Sequence, residues 1–349
     1  MSQRVLVTGG AGFIGHHVID EILRRTDWDV VCLDRLDYSG NLNRIEEILR
    51  SHSPMDRTRV QLVYHDLKAE LNPQTRALIG RVDIILHLAA ASHVDRSIEF
   101  PLEFLYDNTV GTVNLLDYAR TLDTLDRFVY FSTDEVFGPA PLGVNYKEYD
   151  RYNSSNPYSA SKAAAEEFCV SYQNTYKMPL IITHTMNVFG ERQLPEKFIP
   201  KCIRNVRDGK LITIHANADC TIPGSRFYIH ASDVADALLF LLEPPYSIQE
   251  NIVHNASGYQ TSFKIPKFNI VGKEEINNLE LAQMIADVQH KELHYELVDF
   301  HSSRPGHDLR YALSGELMKS LGWVPNVSLR ERIHQMVGWS FNNTRWLNL

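Results

Sequence analysis

The sequence predicts an α/β protein: a doubly wound parallel sheet with a smaller C-terminal α/β lobe. Three observations carry that reading. Short apolar runs alternate with helical patterns up to about residue 186, which is how parallel strands covered on both faces are written. The first strand-to-helix junction is a glycine loop, Gly9-Gly10-Ala11-Gly12-Phe13-Ile14-Gly15. After Gly190 the character changes, with Pro195, Lys197, Pro200, Lys201 and Arg204 following closely. A chain of 349 residues suits two lobes better than one core. We place them at 1–186 and 187–349, with the chain crossing between lobes around 226–243.

Arg4-Val5-Leu6-Val7-Thr8 reads as the first buried strand, and Val18, Ile19, Ile22 and Leu23 share one face of the helix after the loop. Gly9, Gly12 and Gly15 permit a tight turn and close backbone approach to a pyrophosphate, at a helix amino terminus that attracts anions. The second strand, Asp29-Val30-Val31-Cys32-Leu33, ends in Asp34, 19 residues past Gly15. That spacing fits the carboxylate that binds a ribose hydroxyl, and makes the first half a Rossmann-type domain. An acid there disfavours a 2′-phosphate, so NAD is expected over NADP, with Arg35 next door pulling the other way. The third strand, Leu62 to His65, ends in Asp66, which either reaches an adenine amino group or caps the next helix. A fourth, Val82 to Leu88, runs into Ala89-Ala90-Ala91-Ser92, small residues on which a cofactor can lie. His87 and His93 lack a third ligand at metal spacing and are expected to be hydrogen-bonded histidines. Residues 102–122 read as one helix.

The densest chemistry follows the run Arg127-Phe128-Val129-Tyr130-Phe131. Ser132-Thr133-Asp134-Glu135 stands at the carboxyl end of that strand, where open α/β sheets bind ligands. Asn156-Pro157 reads as an N-cap with proline in the first turn. The helix it starts carries Tyr158 and Lys162 four residues apart, on one face. A lysine ammonium beside a phenol favours the phenolate, which then serves as a base near neutral pH. A sixth strand spans Pro179 to Thr185 and ends near Asn187. In the second half, strands are expected at Leu211–Ile214 and Arg226–Ile229, helices after Asp233 and over Leu279–Val288, and irregular chain from Pro244 to Lys267.

Net charge is −8, which argues against a general nucleic-acid or membrane-surface binder. Cys32, Cys169, Cys202 and Cys220 form no CxxC pair, so neither a disulfide framework nor a metal site is expected. No apolar run is long enough to span a membrane, and the chain goes from Met1 straight into a strand. A cytoplasmic location is the expectation.

These motifs together resemble the extended short-chain dehydrogenase/reductase family, and within it the nucleotide-sugar 4,6-dehydratases, dTDP-glucose type. The resemblance rests on the glycine loop, Leu88 to Asp95, Ser132-Thr133-Asp134-Glu135, Tyr158-Ser159-Ala160-Ser161-Lys162, Pro195 to Pro200, and Arg304-Pro305-Gly306-His307-Asp308-Leu309-Arg310-Tyr311-Ala312. It implies a redox-neutral lyase with tightly bound NAD. Tyr158 takes the 4-hydroxyl proton as hydride leaves C4, Lys162 holds the phenol acidic and binds the nicotinamide ribose, and Thr133 bonds the 4-oxygen. Glu135 removes the C5 proton and Asp134 protonates the departing C6 hydroxyl. It also implies that Gly9, Gly12, Phe13, Ile14, Gly15, Asp34, Asp66, Leu67, Leu88, Ala89, Ala90 and Ser92 line the cofactor. Ser92 and Asn187 face both cofactor and sugar, and Lys197, Phe198, His215, Arg226, Asn269, Arg304 and His307 bind the nucleotide diphosphate. A homodimer through the helices near 102–122 and 157–176 is implied too.

The chain departs from the pattern in places. His215 stands where a tyrosine is usual, and the 216–225 loop is long. About 20 residues before Lys267 look inserted, the Thr133–Tyr158 interval is short, and Phe189-Gly190-Glu191 replaces Tyr-Gly-Pro. Three rivals share the tyrosine, lysine or glycine loop: a UDP-glucuronate decarboxylase, a nucleotide-sugar 4-epimerase, and a non-catalytic NAD-binding sensor or scaffold. Asp134 separates the decarboxylases, which typically carry serine there.

Overall fold

The computed structural model describes residues 2–243, 264–300 and 309–348. In chain order the first part runs β1 (Arg4–Thr8), α1 (Phe13–Arg25), β2 (Asp29–Asp34), α2 (Leu42–Arg50), α3 (Pro54–Thr58), β3 (Val60–Tyr64), α4 (Pro73–Ile79), β4 (Ile84–His87), α5 (Val94–Glu99), α6 (Pro101–Phe104), α7 (Gly111–Ala119), β5 (Arg127–Thr133), α8 (Pro157–Tyr176) and β6 (Leu180–Thr185). The second part adds β7 (Val188–Phe189), α9 (Phe198–Arg207), β8 (Ile212–Ala216), β9 (Ser225–Phe227), β10 (Ile229–His230), α10 (Ala231–Leu242), β11 (Lys267–Ile270), β12 (Glu275–Asn277), α11 (Asn278–Val288), β13 (Tyr295–Asp299), α12 (Glu316–Ser320) and α13 (Leu329–Asn342).

Seven strands form the main sheet in the order β11-β6-β5-β4-β1-β2-β3. β1 pairs parallel with β2 and with β4, so the chain reverses its direction of growth across the sheet there. Open α/β sheets take ligands at such a switch point, outside the carboxyl ends of the strands. Val5, Leu6 and Val7 are fully buried, as a strand covered on both faces requires. One core of this sheet joins Leu6, Val31, Leu33, Ile85, Phe128, Tyr130 and Ile182 to Leu115 and Leu116 of α7 and Ala165 and Cys169 of α8.

Two compact units interleave along the sequence. The first comprises 1–136, 156–184 and 235–268, the second 137–155, 185–234 and 269–349. The expected division at 186/187 falls beside the changeover at 184/185. The chain nonetheless passes between units five times, because 137–155 joins the second unit and 235–268 returns to the first. The second unit has its own core, with Ile199, Cys202, Ile203 and Val206 of α9 against Ile212 and Ile214 of β8, Leu281 and Ile285 of α11, and Ile333 and Met336 of α13. Its strands pair two by two: β7 with β10, β9 with β12, β8 with β13.

The single helix expected over 102–122 is interrupted. Between α6 and α7 the turn Leu105–Val110 widens to a π-helix. Such turns cluster at functional sites because they re-aim side chains. Here Asn108 turns inward, accepting from the Ala91 amide at 2.8 Å and donating to the Ala91 carbonyl and to Ser161 Oγ at 3.0 and 2.9 Å. Residues 244–263, most of the segment read as irregular, lie outside the described residues.

Candidate active site

The glycine loop leaves β1 and enters α1, whose N-cap, Gly12, has no side-chain hydrogen bond. Gly9 has φ +70°, and a Cβ there would stand 2.8 Å from Ala89 Cα and N. A Cβ on Gly15 would collide with the Gly9 carbonyl. The loop is therefore as close to the end of β4 as backbone can be. Leu88, Ala89 and Ala90 are partly exposed along that end, and Ser92 is exposed. Asp34 ends β2, accepting from the Ala11 amide at 3.0 Å and the Leu36 amide at 2.8 Å. Burial pushes its carboxyl above the usual range, and those two backbone bonds oppose the shift. Bare loop, uncapped helix start, small-residue strip and acid at the end of β2 together fit a dinucleotide. Phe13 and Ile14 are half-buried beside it.

Asp66 does not cap the next helix, whose N-cap is Asn72. Its carboxylate accepts from the Lys68 amide at 2.9 Å and lies 3.5 Å from Arg35 Nη1. Leu67 puts its side chain into the sheet core, and Asn114 holds its carbonyl at 2.7 Å. His87 is a buried core histidine between Thr8 Oγ1 at 2.7 Å and Thr112 Oγ1 at 2.9 Å, and burial pushes its pKa down to about 3. His93 caps α5.

The chemistry-bearing cluster sits where β5 ends and α8 begins. β5 delivers Thr133, and a single 3₁₀ turn, Asp134–Phe137, follows at once. Thr133 Oγ1 donates to Asp134 Oδ1 at 3.1 Å and accepts from the Glu135 amide at 3.4 Å. α8 opens with a capping box in which Asn156 accepts from the Ser159 amide and Ser159 Oγ accepts from the Asn156 amide. Proline at its first position is pre-set for the helix. This start is fixed from both sides, so Tyr158 has little freedom, and it hydrogen-bonds with Thr133. Asn156 also donates its amide to Glu135 Oε2 at 2.9 Å. Tyr158, Thr133, Asp134 and Glu135 are thus brought together, and all but Glu135 are buried.

Lys162 behaves differently from the expectation. It is only 3% exposed, and its Nζ donates to the Phe131 carbonyl at 2.7 Å and lies 4.4 Å from the Tyr130 ring centroid. Burial pulls its pKa down to about 8, against the pull of Glu166. The Tyr158 phenol is pushed above its ordinary value by burial and then by the Glu135 charge; Lys162 is not among the causes. The ammonium is thus directed to the Phe131 carbonyl of β5 rather than to the phenol.

Of the residues expected at the nucleotide diphosphate, all the described ones lie in the second unit. Lys197 is the N-cap of α9 and Phe198 its first residue. His215 lies in β8, its ring 6.1 Å from that of Phe300. Arg226 stacks over Tyr311 at 4.8 Å and donates to the Ser225 and Leu309 carbonyls. The Asn187 carbonyl accepts from the Ile229 amide at 3.3 Å. Asn269 lies in β11. It is fully buried, and its amide ties the Tyr146 carbonyl at 3.1 Å to the Ser314 carbonyl at 3.2 Å. Arg304 and His307 lie outside the described residues.

Three residues escaped the sequence reading. Glu166 continues the Tyr158–Lys162 face one turn further, fully buried, bonded to Ser132 Oγ, His184 Nε2 at 3.3 Å and Lys267 Nζ at 3.2 Å. Its place four residues after Lys162 was visible; its partners come from β5, β6 and β11 and were not. The second role of Asn156, holding Glu135, had no local signal. Asp107, in the π turn, pairs with Arg35.

The comparisons agree with this geometry. A family model described as GDP-mannose 4,6 dehydratase matches residues 6–336. The chain is 34% identical to mouse dTDP-D-glucose 4,6-dehydratase, over 99% of this chain and 91% of that protein. A dTDP-glucose 4,6-dehydratase from Streptomyces venezuelae, solved with NAD bound, superposes with a TM-score of 0.81 at 30% identity, covering 99% of this chain and 98% of that one. A UDP-glucose 4-epimerase from Thermus thermophilus, also solved with NAD, gives 0.79 at 26% identity over 96% and 98%.

Proposed function

The chain belongs to the GDP-mannose 4,6 dehydratase family, and from that premise we propose that it is an NAD-dependent nucleotide-hexose 4,6-dehydratase. Its substrate is dTDP-glucose or UDP-glucose, and its product the 4-keto-6-deoxy sugar plus one water. The observation that carries this reading is the pair of adjacent carboxylates, Asp134 and Glu135, placed beside Thr133 and Tyr158 at the end of β5. Oxidation at C4 alone needs only the tyrosine. Elimination across C5 and C6 needs a base and an acid as well.

Gly9, Gly12, Gly15, Asp34 and the Leu88–Ser92 strip hold the dinucleotide, which supplies the oxidant for C4 and returns the same electrons at C6. Tyr158 acts in its ionised, phenolate form to receive the 4-hydroxyl proton, and Thr133 steadies the 4-oxygen through its hydroxyl. Once C4 is a carbonyl, the C5 proton is acidic, because the resulting charge spreads to oxygen. Glu135 removes it, held in place by the Asn156 amide. Asp134 gives a proton to the C6 hydroxyl as it leaves as water, and C5 regains a proton when the electrons return at C6. Two neighbouring carboxyls must take opposite protonation states, which requires unlike surroundings. Asp134 is buried and Glu135 only partly so. We assign Lys197, Phe198, His215, Arg226, Arg304 and His307 to the nucleotide diphosphate, for which forked guanidinium donors are suited, and Asn187 to the sugar.

The test is a product assay with no added reductant on dTDP-glucose, UDP-glucose, CDP-glucose, GDP-mannose and UDP-glucuronate. Loss of one water from a single glucose nucleotide is expected. Loss of carbon dioxide from UDP-glucuronate alone overturns the reading in favour of a decarboxylase, and C4 inversion without mass change in favour of an epimerase. Glu135→Gln is expected to keep NAD and to stop at the C4 stage; normal yield of the 6-deoxy product removes Glu135 as base.

We further propose a homodimer and a cytoplasmic location. Leu102, Leu105, Tyr106, Phe168 and Tyr176 are exposed apolar residues on the two helical segments concerned. A second copy would cover them, and light scattering at micromolar concentration is expected to give twice the 40.0 kDa chain mass. A monomer overturns it. All four cysteines are free thiols, three of them buried, which suits a reducing compartment. Recovery of the protein in a secreted fraction would contradict that placement.

A further inference from the structure

Arg35 stands directly after Asp34, where an arginine ordinarily accommodates the 2′-phosphate of NADP. In this structure its guanidinium is already fully engaged. Nη1 and Nη2 donate to the two oxygens of Asp107 at 2.5 and 2.7 Å, a bidentate pair. Nε and Nη2 donate to Asp37 Oδ2 at 2.8 and 2.5 Å. Asp37 is itself fixed, its other oxygen accepting from the Ser39 amide and hydroxyl at 3.0 Å. Asp66 lies 3.5 Å from Nη1, and Lys68 reaches Asp66 at 3.5 Å and Asp107 at 3.7 Å. With Asp34 the cluster carries four carboxylates against two cations.

We propose that Asp107 and Asp37 form a clamp that sets cofactor choice: they occupy the fork of Arg35 so that it cannot receive a 2′-phosphate, and thereby keep the site for NAD. This inference rests on the assignment of the glycine loop and Asp34 to a dinucleotide. An arginine grips a phosphate with paired, directed donors, and here every nitrogen of the fork is committed to carboxylate. Releasing it would require breaking two charge-assisted pairs in a half-buried setting. The surplus negative charge would also repel the incoming phosphate. Asp107 is delivered by the π turn from a distant part of the sequence, so neither the glycine loop nor the end of β2 discloses the clamp.

The test incubates purified protein with equal NAD and NADP, removes free nucleotide by gel filtration, and measures the released dinucleotides by mass spectrometry. Wild-type protein is expected to retain NAD with NADP at or below about one part in a hundred; retention of neither defeats the dinucleotide assignment itself, separately from the clamp. Asp107→Asn and Asp37→Asn, made independently, are each expected to raise the retained NADP/NAD ratio about tenfold, with NAD still retained. Adding Arg35→Ala to either is expected to return the ratio to the wild-type value. A ratio within twofold of wild type in both single variants overturns the clamp. So does a gain that survives Arg35→Ala, or loss of both nucleotides from both single variants, since the aspartates would then serve binding or folding rather than choice.

Discussion

Two groups of buried charge lie one helical turn apart on α8, and they are opposites. At Tyr158 and Lys162 burial wins: the phenol is pushed up, and the lysine comes down to about 8. At Glu166 the partners win. Burial alone would raise its carboxyl, but His184, Lys267 and Ser132 bring it down to about 2. Buried polar groups that are fully satisfied hold a fold together, whereas the lysine, displaced toward neutral pH, is poised to exchange protons. The same helix face therefore supplies chemistry at its start and an anchor in its third turn. The anchor ties α8 to β5, β6 and β11, and so fixes the helix that carries Tyr158.

The largest effect that would sharpen this contrast is on turnover. Tyr158→Phe is expected to lower kcat by about 10²–10⁴-fold, the usual span for a lost acid–base group, with NAD retained and the unfolding midpoint little changed. Rate measured with retained NAD checks it. Next comes Glu166→Ala. It strands Lys267 in the core, and unfolding in urea is expected to show a loss of about 3–5 kcal/mol. Pairing Glu166→Met with Lys267→Met is expected to recover most of that loss, because apolar replacements of a buried ion pair are often neutral. The Glu166 contribution is fully present above pH 4.5 and fades as pH falls toward 2, since its folded pKa is the depressed one.

Lys162→Met should move stability in the other direction. The folded lysine gives up its proton near pH 8, the unfolded one near 10.5, so its charge penalises the fold below pH 8. Between those values the wild-type fold grows more stable as pH rises. The variant is expected to be more stable by on the order of 3 kcal/mol at pH 7, with the advantage vanishing toward pH 10.5. Parallel pH–stability curves for the two proteins would break the comparison. The smallest expected effect is at Asn156. Serine is an equal N-cap, so Asn156→Ser should leave stability within about 0.5 kcal/mol. It removes the amide that holds Glu135, and about a tenfold fall in kcat with KM unchanged is expected from steady-state kinetics.

What was legible in the sequence is what local pattern dictates. The period of apolar residues gave the strands of the first half, and Asn156-Pro157 gave the start of α8 at the observed residue. The glycines, Asp34, Thr133, Asp134, Glu135 and Tyr158 could be named because backbone room, strand ends and helix spacing are local properties. The fold's interleaving was not legible. Nothing near residue 267 says that β11 returns to pair beside β6, and so nothing marked Lys267 as the partner of Glu166.

Charge balance was the other thing the sequence withheld. A lysine four residues from a tyrosine reads as its activator, yet the Phe131 carbonyl and the Tyr130 ring decide where that ammonium points. An arginine after Asp34 reads as a phosphate ligand until Asp107 arrives from a π turn. Residue type and spacing determine which groups can reach a site, because they follow from covalent geometry. Their protonation and availability follow from burial and from partners distant in sequence, and only the tertiary structure brings those together.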